Sequence, residues 1–210
     1  MEYVDILKPP TFEKSGIVKS RIQAWEDEDW IGTFNLWIIK TKPIPSLVYQ
    51  MRSPNSGWSP GLLDVTAGGH YQAGELMRDG LREVREELGL EYKFEDLKPL
   101  GRKITVSPDL KGRMRNNVID IFMIQDERPI DTYRLQKDEV FGICECPVEK
   151  LVHTHTDDGF SFTTTLVKND GTKDKITVTR DSFPYNWDNY HYKIALLAER
   201  FIRGEKPLIY

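Results

Sequence analysis

The stretch Gly68–Leu90, GGHYQAGELMRDGLREVREELGL, decides the expected fold, because it joins a glycine loop to a short amphipathic helix. On a helical wheel with about 3.6 residues per turn, three carboxylates fall within roughly 60° of one another: Glu83, Glu86 and Glu87. Like charges this close repel each other and weaken an isolated helix. A positive partner must offset the repulsion, and a divalent cation is the simplest candidate.

The other positions of this stretch fit a helix that packs on a core. Leu81, Val84 and Leu88 recur at spacings of three and four residues and form the stripe opposite the carboxylates. Gly89 is placed to end the helix. A glutamate-rich helix is usually only a solvated face. Here the flanking glycines and the apolar stripe favour a functional element.

The same residues resemble the Nudix box, the signature of the Nudix hydrolase family. The box reads Gly-x5-Glu-x7-Arg-Glu-U-x-Glu-Glu-x-Gly-U, where U is a bulky apolar residue, and Gly69, Glu75 and the run from Arg82 to Leu90 supply every fixed residue type in order. One departure is that six residues, not seven, separate Glu75 from Arg82. One residue fewer inside a helix rotates what precedes it by about 100°. We therefore expect the gap to be absorbed before the helix and Glu75 to be displaced from Arg82.

The resemblance implies both a fold and a reaction. The fold is of the α/β (α+β) class, a Nudix-like α/β/α sandwich with a mixed sheet, a loop–helix–loop metal site and an added C-terminal helix. The reaction is hydrolysis of a diphosphate by water, assisted by Mg²⁺ or Mn²⁺. Elementary chemistry agrees, because hard cations held by carboxylates neutralise a polyanionic diphosphate and lower the pKa of a bound water.

Roles for the individual residues follow from the resemblance. Glu83, Glu86 and Glu87 are the expected metal ligands, with Glu86 also a candidate for the base that acts on water. Arg82 is the other expected catalytic residue, which should pair with Glu86 or Glu75 and hold the ligands in place. The expected substrate-binding residues come from the glycine loop and from the end of an earlier strand: Gly68, Gly69, His70 and Arg52.

Segments outside the box resemble the Nudix branch that includes isopentenyl-diphosphate isomerase and related hydrolases. They are YVDILKPP, AWEDEDW, TFNLWII and QMRSPNSGWSPGLLDVTAGGH. The isomerase needs a cysteine where this chain has Gly68, histidines where it has Trp25 and Ile31, and an acidic pair near Arg115 and Asn117. A hydrolase is therefore favoured, while an isomerase-like enzyme and an inactive diphosphate-binding module remain alternatives.

Composition sets the remaining limits. A chain of 210 residues with 39% hydrophobic content can form one domain over 1–210. A net charge of −4 argues against a general nucleic-acid surface or a polybasic membrane anchor. The sequence shows no signal peptide and no apolar run long enough to span a bilayer, and its two cysteines suit a reducing compartment, so we expect a cytoplasmic location. The expected partner is a small-molecule diphosphate, with a homodimer as an open alternative.

The rest of the chain reads mainly as strands. We expect an N-terminal hairpin within 1–28, formed by Tyr3–Leu7 and Ile17–Gln23 with Gly16 as a turn signal. Further predicted strands are Trp30–Lys40, Ser46–Arg52, Leu62–Thr66, Leu97–Ser107, Arg115–Ile124 and Glu139–Cys146. Asn169-Asp170-Gly171 predicts a hairpin of Phe160–Val167 and Lys175–Thr179, an insertion at 156–182. Pro147–Val152 is at most a short helix, and Trp187–Arg203 is an amphipathic C-terminal helix.

Several other residues have both a functional and a structural interpretation. Four of them could bind zinc, although buried reduced thiols and ordinary histidines are favoured: Cys144, Cys146, His153 and His155. Three aromatic residues could stack on a nucleobase, although packing is favoured: Trp30, Trp58 and Tyr71. Glu139 could support the site, and Arg115 could bind phosphate, although a structural role is the alternative for each.

Overall fold

The computed structural model describes residues 2–108, 112–184 and 188–210, and its central element is a long strand, Trp30–Lys40. Aromatic and β-branched residues fill this segment and favour an extended backbone. Leu36 and Ile38 are fully buried on one face of the strand, and Trp37 and Ile39 are fully buried on the other. The strand is therefore covered on both sides.

One sheet of eleven strands surrounds this segment. In chain order the strands are β1 Tyr3–Lys8, β2 Glu13–Ser20, β3 Trp30–Lys40, β4 Ser46–Arg52, β5 Leu63–Asp64, β6 Ala67–His70, β7 Lys98–Pro108, β8 Met114–Gln125, β9 Val140–Pro147, β10 Phe162–Lys168 and β11 Lys173–Val178. The main path runs β11-β10-β9-β4-β3-β1-β2, with β6 and β8 also paired to β3, β5 to β4 and β7 to β8. The β3–β8 pair is parallel and the other described pairs are antiparallel, so the sheet is mixed.

Four α-helices accompany the sheet in the described part of the chain: α1 Arg21–Glu26, α2 Leu81–Leu88, α3 Val148–Thr156 and α4 Tyr190–Ile202. Helix α2 buries Val84 and Leu88 against the face of β3 that carries Leu36 and Ile38. Helices α3 and α4 cover the opposite face, around Trp37. This arrangement confirms the predicted α/β/α sandwich with a mixed sheet. Among the described helices, none has the length and apolar character required to cross a membrane.

The N-terminal region differs from its prediction. Gly16 lies inside β2 with φ of 84°, where the β1–β2 register shifts between Asp5 and Leu7, so it forms a bulge and not the turn. The segment after β2 is α1, a helix that the hairpin prediction missed. Its sequence signal was Ser20, whose hydroxyl accepts a hydrogen bond from the Gln23 N–H at 3.2 Å and caps the helix.

Two further elements differ in length. The predicted strand Leu62–Thr66 is only the two-residue β5, and the glycine loop itself forms β6 against β3. Helix α3 spans nine residues, longer than the short helix expected at Pro147–Val152. In α3, Val148 and Leu151 are buried, so tertiary packing extends the helix.

The other predicted strands occur within two residues of their expected ends. The predicted start of the C-terminal helix at Trp187, and residues 109–111 of the predicted turn between β7 and β8, lie outside the described residues. Cys144 and Cys146 are free and buried, with their sulfurs 3.7 Å apart. Across residues 2–108, 112–184 and 188–210, no three histidine, cysteine or acidic side chains converge as a metal site, and the zinc interpretation has no support.

Candidate active site

The site is built around a 3₁₀ turn, Met77–Gly80, that leads directly into α2. A Cβ on Gly80 would lie 2.4 Å from the Phe34 ring, so only glycine lets this turn reach β3. At the other end, Gly89 adopts a left-handed conformation with φ of 64° and its N–H bonds to the Arg85 carbonyl. The expected helix is therefore confirmed, and the shortened spacing falls in the 3₁₀ turn before it.

Arg82 joins the loop to the helix through several carboxylates. Its Nε lies 2.8 Å from Glu75 Oε1, and its Nη2 lies 3.2 Å from Glu75 Oε2. Nη2 is also 2.9 Å from Glu83 Oε1, and Nη1 is 2.9 Å from Glu86 Oε2. The expectation that Glu75 would be displaced from Arg82 is wrong, because the tighter turn restores a forked contact between them.

The three carboxylates of the helix do not share one environment. Glu83 and Glu87 are 8% and 3% exposed, whereas the Glu86 side chain is 51% exposed. The Gly68 N–H donates to Glu87 Oε2 at 3.0 Å, and a Cβ on Gly69 would lie 2.3 Å from Glu83 Cδ. The stripe therefore does not simply face solvent: two of its members turn inward against β6.

Burial raises the pKa of Glu83 to about 7, against the opposing charge of Arg82, and the charges of Glu86 and Glu139 add to the rise. Burial also raises the pKa of Glu87 well above its ordinary value, and the neighbouring charge of Glu83 adds to this. Glu139 contributes in the same direction to both, which places its carboxylate in electrostatic range of the pair.

A hard cation fits this pair of carboxylates. Glu87 has one hydrogen-bond partner among the described residues, a backbone N–H, and its carboxylate is buried beside a second one. A cation between them would offset the repulsion and keep both ionised. The bare backbone of Gly69 lets the Glu83 carboxylate pack against β6, because a Cβ there would lie 2.3 Å from Glu83 Cδ. The donor chemistry of the pair therefore matches a divalent ion.

His70 lies in β6 opposite Thr33 of β3. Burial lowers the pKa of its imidazole to about 3, and the charges of Arg21, Arg115 and Arg52 lower it further. His70 therefore stays neutral at physiological pH and lies within electrostatic range of three guanidinium groups. Its carbonyl accepts a hydrogen bond from Arg82 Nη2 at 3.2 Å, which connects it to the carboxylates.

Arg52, predicted to bind substrate, is held at the end of β4. Its Nε donates to the Trp58 carbonyl at 2.8 Å and its Nη2 donates to Ser56 Oγ at 2.7 Å, while Asp64 lies 3.7 Å away. Its charge lowers the pKa of both Glu87 and His70, so Arg52 lies within electrostatic range of both groups.

The three aromatic candidates have other roles. The ring of Trp30 packs on Phe12 with centroids 5.0 Å apart. Trp58 is exposed, and its carbonyl serves Arg52. Tyr71 donates its hydroxyl to Asp120 at 3.2 Å. These contacts favour the packing interpretation for Trp30 and Tyr71.

Sequence reasoning missed the contribution of α1. The Arg21 guanidinium carbon lies 4.8 Å from the centroid of the Trp25 ring, and that of Arg115 lies 3.9 Å from it. Arg21 Nη1 is 3.4 Å from His70 Nδ1. The Ser20 cap could have revealed the helix, but no local pattern connects it to β8.

A layered α/β structure with paired carboxylates on a loop–helix element, next to clustered arginines, defines a class of enzymes that act on phosphate anhydrides. The sequence pattern of the NUDIX domain matches residues 34–166, and this chain belongs to the NUDIX domain family. Members of the family generally use divalent metal ions and act on nucleoside diphosphate derivatives. The chain is an enzyme of the Nudix pyrophosphohydrolase type.

Two relatives show the extent of this similarity. An uncharacterised Nudix hydrolase of Clostridium acetobutylicum is 30% identical over 186 residues, which cover 86% of this chain and 89% of the relative. Nudix hydrolase 3 of Arabidopsis thaliana is 28% identical over 153 residues, which cover 71% of this chain but 20% of that much longer protein.

Solved structures agree on the fold. A Deinococcus radiodurans protein matches with a TM-score of 0.56 at 20% identity, covering 75% of this chain and 90% of its own. A MutT/nudix family protein from Enterococcus faecalis matches with a TM-score of 0.51 at 15% identity, covering 86% of this chain and 68% of its own. At these identities the similarity shows the fold alone.

Proposed function

We propose that this chain hydrolyses the diphosphate linkage of a nucleoside diphosphate derivative or a similar organic diphosphate, with Mg²⁺ or Mn²⁺ as cofactor. The observation that carries the proposal is the buried pair of Glu83 and Glu87 against the bare backbone of Gly68 and Gly69. Arg82 lies 2.9 Å from Glu83, and the charge of Arg52 acts on Glu87.

Glu83 and Glu87 are assigned to the metal as direct ligands. When bound, the ion supplies charge neutralisation of the diphosphate and a lowered pKa for water. Glu86 is assigned to a second ion or to the base that takes the proton from the attacking water. Its exposed position and single contact with Arg82 leave it able to turn toward either. Glu139 is the alternative base, because its charge acts on both buried carboxylates.

Arg82 was predicted as a catalytic residue, and its contacts support a positioning role instead. The guanidinium already binds the carboxylates of Glu75, Glu83 and Glu86. It therefore orients metal ligands, and its positive charge offsets part of their repulsion. For substrate binding we assign Gly68, Gly69, His70 and Arg52. The glycines would admit the diphosphate close to the backbone, and Arg52 would offer its charge and His70 its neutral ring to the phosphate oxygens.

An isomerase-like reaction remains less favoured. The position that would need a reactive thiol is Gly68, and both cysteines are buried in β9. An inactive binding module is also less favoured. Two buried carboxylates lower the stability of the fold, and a protein without catalytic activity would gain nothing in return.

We further propose that 1–210 forms one domain, with the N-terminal hairpin of 1–28 and the hairpin of 156–182 as additions to it. The hairpin of β10 and β11 lies mostly beyond residue 166, where the family pattern ends. A cytoplasmic location, a small-molecule partner and a homodimer belong to the same proposal. Light scattering on the purified chain would measure its oligomeric state.

The decisive experiment is a screen for hydrolysis of nucleoside diphosphate derivatives, dinucleotides and isoprenoid diphosphates in Mg²⁺ or Mn²⁺. Glu87→Gln and Glu83→Gln should each lower kcat by about a hundredfold or more, since each removes a ligand charge at nearly constant volume. Glu91→Gln, on an exposed glutamate just past the helix, is the matched control. Activity that survives full metal removal would contradict metal-dependent hydrolysis. Gln variants with the parent rate would show that Glu83 and Glu87 are not the metal ligands.

A further inference from the structure

A cluster of side chains from α1, β3, β6 and β8 surrounds Trp25 and, apart from His70, has no role in the proposed hydrolysis. Arg21 and Arg115 both contact the indole, at 4.8 and 3.9 Å from its centroid. The His70 ring meets it edge-on with centroids 5.6 Å apart. Two guanidinium groups that share one indole are fixed in orientation, because cation–π stacking favours one geometry for each. We call Arg21, Trp25 and Arg115 the arginine–tryptophan stack.

Unsatisfied polar atoms mark the same region as a binding surface. Among the described residues, Thr33 Oγ1 and Trp25 Nε1 are buried and have no hydrogen-bond partner. Thr33 lies opposite His70 on one side and Ile119 on the other, and Ile119 is two residues from Asn117 along β8. Cross-strand neighbours and residues two apart project from the same sheet face. Two buried polar atoms beside the stack are therefore available to a polar ligand.

His70 connects the stack to the carboxylate pair. Arg82 Nη2 bonds both Glu83 and the carbonyl of His70, and the His70 ring contacts Trp25. A diphosphate that meets the carboxylate end would therefore extend toward the stack. The Glu2 carboxylate forms an ion pair with Arg21 at 2.7 Å, and the Glu2 side chain is 26% exposed.

We propose that the arginine–tryptophan stack recognises an unesterified terminal phosphate, so that the substrates of this enzyme are diphosphate monoesters rather than diphosphates esterified at both ends. This inference rests on the proposed function and specifies its substrate class. A terminal phosphate carries close to two negative charges and three acceptor oxygens, whereas an internal one carries a single charge and two free oxygens. Forked guanidinium groups match the terminal group.

The stack also gives the N-terminal segment a role. Arg21 and Trp25 precede residue 34, where the match to the family pattern begins, whereas Arg115 lies within the match. The segment therefore brings substrate selection to a domain whose carboxylates handle the anhydride. Trp25 is a positioning residue, because it acts through the two arginines.

The test uses substrate pairs that differ only at the terminal phosphate. One pair is ADP and ADP-ribose, and the second is a short alkyl diphosphate and its methyl ester at the terminal phosphate. For the free members, Arg115→Ala should lower kcat/KM about 10- to 100-fold, mainly through KM. For the esterified members the loss should stay below about threefold. Arg203→Ala, which removes an exposed arginine bonded to Glu205, is the control.

Three further variants guard against misfolding. Arg115→Lys keeps the charge but not the fork, and should show an intermediate loss on the free members only. Trp25→Ala should resemble Arg115→Ala, and Trp25→Phe should restore most of the affinity. Equal losses on both members of each pair, or parent-like kinetics in Arg115→Ala, would overturn the inference while leaving the proposed function intact.

If no diphosphate is hydrolysed, the proposed function fails, and a binding measurement is then needed to test the stack independently of turnover. Calorimetric titration of the full chain with inorganic pyrophosphate in Ca²⁺ then tests the stack alone. Binding that weakens about tenfold or more in Arg115→Ala supports the inference, and unchanged or absent binding contradicts it.

Discussion

Arg82 is the residue on which the geometry of the site depends, because one guanidinium fixes the loop carboxylate of Glu75 and two carboxylates of α2. Its side chain and that of Glu75 are 17% and 16% exposed, so solvent screens their contact only weakly. A Glu75 displaced from Arg82, as the shortened spacing predicts, would give a coupling below about 0.5 kcal/mol, as for two separated groups. Direct contact reverses that expectation.

We expect a double-mutant cycle of Glu75→Gln and Arg82→Ala to give a coupling of about 1–2 kcal/mol in the free energy of unfolding. Chemical denaturation of the four proteins measures it. Arg78→Ala combined with Glu75→Gln is the control cycle, since Arg78 makes no described contact with Glu75. A coupling no larger than in the control would contradict the forked contact.

Gly69 is the second residue whose identity the site requires. A methyl group there would overlap the Glu83 carboxylate at 2.3 Å, so Gly69→Ala should push Glu83 away from Glu87. We expect the affinity for metal to fall about 10- to 100-fold, as measured by titrating the activity with Mg²⁺. Gly57→Ala is the matched control, because nothing lies within 4 Å of its added Cβ. Unchanged metal dependence in Gly69→Ala would show that Glu83 is not a ligand.

At the scale of elements, the turn from the glycine strand into α2 decides where the carboxylates lie. The 3₁₀ turn Met77–Gly80 advances farther per residue than an α-helix and so absorbs the missing residue of the box. Close packing of Gly80 on the Phe34 ring then places α2 against the sheet. Helix α2 is only eight residues long, so its stability comes from this packing rather than from helix propensity.

Gly80→Ala should therefore lower the free energy of unfolding by about 1–3 kcal/mol, through overpacking against Phe34. Thermal or urea denaturation measures this. The double variant Gly80→Ala with Phe34→Leu removes part of the ring and should recover some of the loss relative to the sum of the single changes. Strict additivity of the two changes would argue against the contact.

At the scale of the whole molecule, the face of the sheet covered by α3 and α4 contains buried histidines. His191 is 3% exposed, and neither of its ring nitrogens has a hydrogen-bond partner within the part of the chain that the structure describes. Burial lowers its pKa to about 3, and the charges of His155 and Lys103 lower it further, against the opposing charge of Asp188. The folded protein therefore keeps this ring neutral at pH values between about 3 and 6.5, at which an unfolded chain would protonate it.

The sign of the pH dependence follows from that difference. An unfolded histidine titrates near pH 6.5, so below this pH the unfolded state binds a proton that the folded state does not. The contribution to stability is complete above about pH 6.5 and is lost as the pH falls toward 3. Between pH 7 and 5 the parent should lose about 2 kcal/mol more than His191→Phe, as measured by denaturant titration at each pH. Equal losses would show that His191 is solvated or protonated in the folded state.

Periodicity and chemistry in the sequence were enough to identify the box helix, its glycine stop and the strands β3 and β4, and the resemblance to the Nudix box implied the layered fold and the family. These features depend on residues close together in the chain, whose spacing of two or about 3.6 directly reflects local structure. Other features depend on contacts between distant segments. The inward turn of Glu83 and Glu87 requires the bare strand β6, and the arginine–tryptophan stack joins Trp25 to Arg115 across ninety positions. No local pattern encodes such a meeting, because it is set by the register of the sheet, and so only the tertiary structure decided which charges face one another in the site.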